Sequence, residues 1–171
     1  MSEPIDSVCS ICARIQAIET GRHPRFIAEL GSGYACLGDH QLYPGYSLFL
    51  CKEHVREIPE LADDHCRLFL WEMSRLAEAV IAACRPRKLN YEMLGNQDAH
   101  LHWHLFPRYS HDPHPLRPVW PDIEDYTRLH PTAPLGIDPV LHPDDEVMKH
   151  RILEQLNRSD LSLVRTFQDM K

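Results

Sequence analysis

The segment His100-Leu-His102-Trp-His104-Leu-Phe-Pro107 alternates imidazole with large apolar side chains, a period of two that only an extended strand can turn into one polar face and one buried face. The three histidines are expected on one side, with Leu101, Trp103 and Leu105 directed into a core. Such a strand needs neighbours on both edges and a layer to cover its apolar face, so a sheet packed against helices is the minimum solution. At about 3.3 Å of rise per residue, the Cα atoms of His100 and His104 stand roughly 13 Å apart. That spread is too wide for three imidazoles on one ion with bonds near about 2 Å, so the spacing favours separate roles along a row. A cupin-type metal site also opens with His-x-His, but no Glu stands at Leu105 or Phe106 to complete one.

The rest of the chain supplies the partners. Ile11, Ile15 and Ile18 followed by Gly21 predict a short helix over 10–20, and Arg25 to Leu30 and Tyr34 to Leu37 around Gly31-Ser-Gly33 predict a hairpin. Tyr46 to Cys51, entered through Pro44-Gly45, is a third strand. The longest helix is expected to start near Pro59 and to bury Phe69, Met73, Leu76, Val80 and Cys84 before Pro86 stops it. Lys88 to Leu94 and His100 to Pro107 complete about five strands, which makes the chain α+β with a mainly antiparallel sheet and two or more helices.

Nine of the 14 prolines fall in 107–143, a stretch expected to form an irregular wrap or lid with little regular structure. A last helix is predicted over Asp144 to Asn157 with Val147, Met148, Ile152 and Leu156 inward. Residues 1–109 are expected to form the core of one domain and 110–171 to pack onto it.

With 171 residues the chain is long enough for one sizeable core. Its formal charge of -7 argues against nucleic acid and acidic membranes as partners, because such binding depends on clustered Lys and Arg. Neither a spanning apolar run nor an export signal is evident, so a cytoplasmic location is expected, with the six cysteines as free thiols or metal ligands.

Cys9-Ser-Ile-Cys12, with His54 and His100 as completing ligands, has the composition of a closed structural zinc site. Two other readings of the pair stay open, a redox couple and two small buried residues. Cys36, Cys51, Cys66 and Cys84 lie in apolar runs and read as core thiols. Gly95 permits close backbone approach, and Asn96 and Gln97 offer amide donors just before the histidine strand; the plain alternative is an ordinary turn. Trp120 is equally suited to covering a ligand and to packing the wrap.

These residues resemble the histidine triad family, whose signature alternates three histidines with apolar positions; every position from His100 to Phe106 agrees. The similarity runs from about Cys9 to Tyr109 and takes in Gly95-Asn96-Gln97, the Tyr43-Pro44-Gly45-Tyr46 turn, Leu48-Phe-Leu and Lys52-Glu-His54. The resemblance implies a five-stranded antiparallel sheet, usually in a homodimer, and a nucleotide substrate whose α-phosphorus is attacked by His102. His102 would then need an acceptor for its second nitrogen, such as the main-chain carbonyl of His100, while His104 would assist the leaving group.

The same resemblance places Gln97 at a phosphate, Asn90 loosely at a further polar contact, and Asp39 at the ribose hydroxyls, although an exposed turn aspartate is the commoner reason for such a residue. Some bacterial members, and the related galactose-1-phosphate uridylyltransferases, use the first triad histidine as a zinc ligand, here His100. A hydrolase of nucleoside phosphate anhydrides, resembling diadenosine polyphosphate hydrolases, is the first expectation. A nucleotidyltransferase or phosphorylase, a phosphoramidate hydrolase and a non-catalytic nucleotide sensor are its rivals.

Overall fold

The structure, a computed structural model, describes residues 9–130 and 141–170. Four α-helices, α1 (Ser10–Glu19), α2 (Asp63–Cys84), α3 (Trp120–Leu129) and α4 (Pro143–Asn157), pack on one sheet. Its strands are β1 (Phe26–Glu29), β2 (Gly33–Leu37), β3 (Ser47–Cys51), β4 (Lys88–Glu92), β5 (His102–Arg108) and β6 (Arg165–Thr166). They lie in the order β4-β5-β3-β2-β1-β6, and every neighbouring pair is antiparallel. The sixth strand was not expected; two residues are too few to carry a periodicity.

Strands buried on both faces explain why β2 and β3 read as unbroken apolar runs. On one face Ala35, Leu37, Phe49, Cys51 and Leu105 meet Phe69, Leu76 and Val80 of α2 and Ile152, Leu153 and Leu156 of α4. On the other, Phe26, Cys36, Leu48, Leu50 and Phe106 meet Ile11 and Ile18 of α1 and Val119 and Ile123 at α3. The triad histidines of β5 share this second face, so α1 and α3 flank them.

Several local expectations are corrected. Pro59 belongs to a separate 3-10 turn, Ile58–Glu60, because Leu61 is extended and buried; α2 therefore starts at Asp63. Within 107–143 the chain forms α3, with Pro121 in the first turn, where its missing N–H costs nothing; residues 131–140 of the same stretch lie outside the described residues. Val147 is 49% exposed and Leu153 takes its place inward, the true buried stripe of α4 being Asp145, Lys149, Ile152, Leu153 and Leu156. Cys36 and Cys51 are buried, whereas Cys66 and Cys84 are only half-buried.

The buried acid Glu72 had no sequence signal. From α2 it accepts from the main-chain N–H groups of Gly31 and Ser32, each at 2.8 Å, and from the Ser32 hydroxyl at 2.5 Å, so the helix caps the hairpin turn. No helix among the described residues is long and apolar enough to cross a membrane.

Candidate active site and metal cluster

The regular strand begins at His102, two residues later than the alternation suggests. Leu101 bonds across to Val55 and Cys51 through its main chain, and the His100 ring is drawn away from its two companions. His100 Nε2 donates to the carbonyl of Cys51 at 2.9 Å, which leaves Nδ1 unprotonated and facing the cysteines. Nδ1 stands 3.6 Å from Cys9 Sγ and 3.5 Å from Cys12 Sγ, and Cys12 Sγ is 3.1 Å from His54 Nδ1. The four ligand atoms of Cys9, Cys12, His54 and His100 lie within 4.8 Å of one another, a group able to hold a metal ion. The Cys9 sulfur also accepts from the N–H of Cys12 in the first turn of α1, at 3.4 Å.

His102 and His104 remain together on the strand. His102 Nδ1 is 2.6 Å from the His100 carbonyl, so it carries the proton and Nε2 carries the lone pair. Nε2 meets His104 Nε2 at 3.0 Å, which must therefore be the donor. His104 Nδ1 in turn accepts from the Tyr46 hydroxyl at 2.7 Å. One directed line results, Tyr46 to His104 to His102 to the main chain, with each imidazole neutral in an assigned tautomer. Its electrostatics agree. Burial, then His102, Arg14 and His40, push His104 down to about 3; burial also lowers His102, with Arg14 adding to it against the His100 carbonyl and Asp98. Burial raises the Tyr46 phenol well above its ordinary value, so it stays a donor.

Tyr46 reaches His104 because Gly38 lies under its ring: a Cβ there would meet the ring at 2.1 Å. The preceding turn depends on Gly45, at φ +88, where an added Cβ would strike Cys84 Sγ at 2.3 Å. From α3, Trp120 stands edge-on to His104 with centroids 5.3 Å apart, and its indole N–H donates to Glu92 of β4. Tyr43 donates to Asp122 at 2.9 Å, which fixes α3 beside the triad. Arg108 anchors the connecting loop by donating to Asp112 and to the carbonyls of Arg117 and His114.

The expected nucleotide contacts fare differently. Both oxygens of Asp39, the residue expected at the ribose hydroxyls, face the Arg14 guanidinium at 2.5 Å, so the carboxylate is engaged by a cation from α1. Asn90 accepts from Arg108 at 3.3 Å, on the β4 side of Phe106. Asn96 and Gln97 are exposed in the loop before β5, and Gly95 and Asn96 line a cavity of about 350 Å³ with Arg56, Glu57 and Met93 that no triad histidine enters. Arg14, Tyr46, Glu92 and Asp98 were not picked out as site residues, and Trp120 was so read only as one of two alternatives. Tyr46 lies in the turn that carries the family resemblance, and a signal for Arg14 was an arginine on the otherwise apolar face of a short helix.

The fold recurs in solved structures. A histidine triad protein of Sinorhizobium meliloti 1021 matches with a TM-score of 0.62 at 22% identity, covering 81% of this chain and 93% of that one. One from Marinobacter aquaeolei VT8 matches with a TM-score of 0.63 at 22% identity, covering 82% and 94%. A hypothetical histidine triad nucleotide-binding protein of Sulfolobus tokodaii strain7 matches with a TM-score of 0.61 at 17% identity, covering 86% and 93%. None of the curated proteins matches the chain. The family model for the HIT domain matches residues 23–111, more than half of the chain and the whole frame of Tyr46, His100, His102 and His104, and so the chain belongs to the HIT domain family.

Proposed function

We propose that the chain is a nucleotide hydrolase that cleaves a nucleoside phosphate anhydride, such as a dinucleoside polyphosphate, through a covalent nucleotidyl-histidine on His102. The observation that carries this reading is the 3.0 Å meeting of His102 Nε2 and His104 Nε2, a lone pair and an N–H held face to face by Tyr46 and the His100 carbonyl. A phosphoanhydride brought to the pair finds a nucleophile in His102 and a hydrogen-bond donor in His104. His102 Nε2 forms the bond to the α-phosphorus as the bond to the bridging oxygen breaks; the electron pair leaves on that oxygen, whose growing negative charge accepts a hydrogen bond from the His104 Nε2–H. Water then attacks the same phosphorus, its proton leaves with the monophosphate or to solvent, and the phosphorus–nitrogen bond breaks with its electron pair returning to His102 Nε2. The description of the Sulfolobus tokodaii relative as nucleotide-binding supports the substrate class.

Zinc is the proposed ion of the Cys9, Cys12, His54 and His100 group. Zinc bonds of about 2.3 Å to sulfur and about 2.0–2.1 Å to nitrogen put the two ligand atoms roughly 3.5 Å apart in a tetrahedron. The sulfur–nitrogen distances of 3.6, 3.5 and 3.1 Å fit such edges. Four protein ligands leave no open position, so the ion would supply structure only, tying α1 and the 52–55 loop to the residue whose carbonyl orients His102. The reading also takes the chain as a cytoplasmic homodimer. Its unpaired cysteines support the compartment, and the edge position of β4 with Tyr91 exposed, together with Trp71 and Ile81 exposed on α2, supports the dimer.

Hydrolysis of diadenosine and nucleoside polyphosphates in ¹⁸O water, with neutral quenching and mass spectrometry, tests the route. Label in the released monophosphate and a nucleotidyl adduct on His102 are expected; label confined to the leaving group overturns the covalent path.

A further inference from the structure

Four rings lie against the His104 imidazole, those of Tyr46, His102, Phe106 and Trp120. The first three are buried, at 5%, 6% and 0% exposure, whereas Trp120 is only half-buried and keeps part of its indole open. The Trp120 centroid stands 5.3 Å from that of His104 and 5.7 Å from that of Phe106, at interplanar angles of 86° and 87°. Both contacts are perpendicular, so neither ring is stacked on the indole.

The indole is held in place from two sides. Its N–H donates to Glu92 at 2.5 Å, and Glu92 is the β4 residue directly opposite His104, so the two side chains share one face of the sheet. Trp120 opens α3, which is anchored by the buried Val119 and Ile123 and by Asp122, the acceptor from Tyr43 at 2.9 Å. A ring fixed in this way loses little freedom when it meets a ligand. α3 lies outside residues 23–111, those matched by the family model.

In the proposed reaction the leaving group departs on the oxygen that accepts from the His104 Nε2–H. What that oxygen carries therefore leaves beside the indole. Phosphate and pyrophosphate have no apolar surface to lay against it. A nucleobase has one, and stacking on an aromatic side chain suits any base because every base has a π-face.

We propose that Trp120 is a specificity-determining residue that receives the base of the leaving group, with Glu92 as the positioning residue that sets the indole. The inference rests on the reading of the triad as a phosphoanhydride-cleaving centre and deepens it. Both halves of a dinucleoside polyphosphate are then recognised, and the preferred leaving group is a nucleotide.

The test holds constant the adenylyl group that goes to His102 and varies what leaves. ATP, its γ-methyl ester, diadenosine triphosphate and diadenosine tetraphosphate release pyrophosphate, methyl pyrophosphate, ADP and ATP in turn. Single-turnover adduct formation is measured in wild type, Trp120→Leu, Trp120→Phe, Glu92→Ala and Glu92→Gln. Affinity is measured by calorimetry on wild type and the same variants in a His102→Ala background. Diadenosine triphosphate should be favoured over the methyl ester at least about fivefold in both readouts, the low end of what base stacking contributes. Trp120→Leu should bring both ratios close to one. Trp120→Phe should keep part of the preference, and it carries the test if the leucine variant does not fold. Glu92→Ala should lower the ratios, and Glu92→Gln, which retains an acceptor oxygen for the indole, should restore them.

A wild type that forms the adduct from every substrate with no preference for a nucleotide leaving group would overturn the proposal and leave the hydrolase reading standing. Unchanged ratios in a folded Trp120→Leu of lowered melting temperature would also overturn it, making the indole a packing group alone. Unchanged ratios in Glu92→Ala would remove Glu92 from its positioning role. A preference in affinity that vanishes in Trp120→Leu, in a protein that forms no adduct with any of the substrates, would leave Trp120 as the base contact and refute the hydrolase reading alone.

Discussion

At the scale of single residues, the proposed reaction depends most on Tyr46 and His102. The Tyr46 hydroxyl holds the His104 tautomer by donating to Nδ1. Tyr46→Phe removes one buried hydrogen bond, worth about 0.5–1.5 kcal/mol. Turnover should therefore fall roughly 2- to 13-fold with KM little changed, because the interaction orients a proton and does not bind the substrate. His102→Ala should abolish turnover and leave nucleotide affinity within about tenfold, or about 1.4 kcal/mol, which calorimetry on the purified variant measures. The alternation from His100 to Phe106 was enough to nominate both histidines. It could not show that His100 leaves the row, because that depends on where Val55, Cys51 and the two cysteines stand in space.

At the scale of elements, two side chains join segments distant in the chain. Glu72 fastens α2 to the β1–β2 turn through three donors, and Glu72→Gln replaces an acceptor of charge-assisted bonds by an amide with one acceptor oxygen. Unfolding in urea should show a loss of about 1–3 kcal/mol, the cost of leaving buried donors unsatisfied. The cysteine and histidine group does the same for α1. Protein prepared without chelators should carry about one metal ion per chain, and Cys12→Ser should lose it and lower the melting temperature. Elemental analysis with differential scanning fluorimetry reads both. The cysteine spacing revealed this group, whereas nothing in the sequence marks a glutamate on an apolar helix stripe as a cap for a turn some 40 residues away.

Across the whole molecule, stability should depend on pH through imidazoles that fold in the neutral state. His23 is 6% exposed, and burial, with the charges of Arg14 and Arg25 adding to it, pushes it down to about 3; His104 is pushed down to about 3 as well. An unfolded histidine titrates near about 6.5, so between that pH and about 3 the unfolded chain binds protons that the folded chain does not. Stability is then fully present above about pH 6.5 and falls as pH drops through the window, by up to about 1.4 kcal/mol per pH unit for each group. Urea midpoints at pH 8, 6 and 5 should decline in that order, and His23→Phe should flatten the decline relative to wild type. An unchanged slope in the variant would mean that His23 is already protonated in the folded protein.

By itself the sequence determined the features that rest on local period and on chemistry within a few residues. These are the antiparallel α+β class, the hairpin, β3 and β5, the neighbouring pair His102 and His104, and the cysteines with metal-ligand spacing. Tertiary structure alone decided how side chains far apart in the chain are spent. Asp39 reads as a ribose contact or an exposed turn acid until α1 lays Arg14 against it, and Trp120 reads equally as a ligand cover or as packing of the wrap until α3 seats it beside His104. Period reports which face of an element is buried; what a buried polar group meets there is set by how α1, α3 and the sheet pack, and desolvation then fixes its protonation and its role.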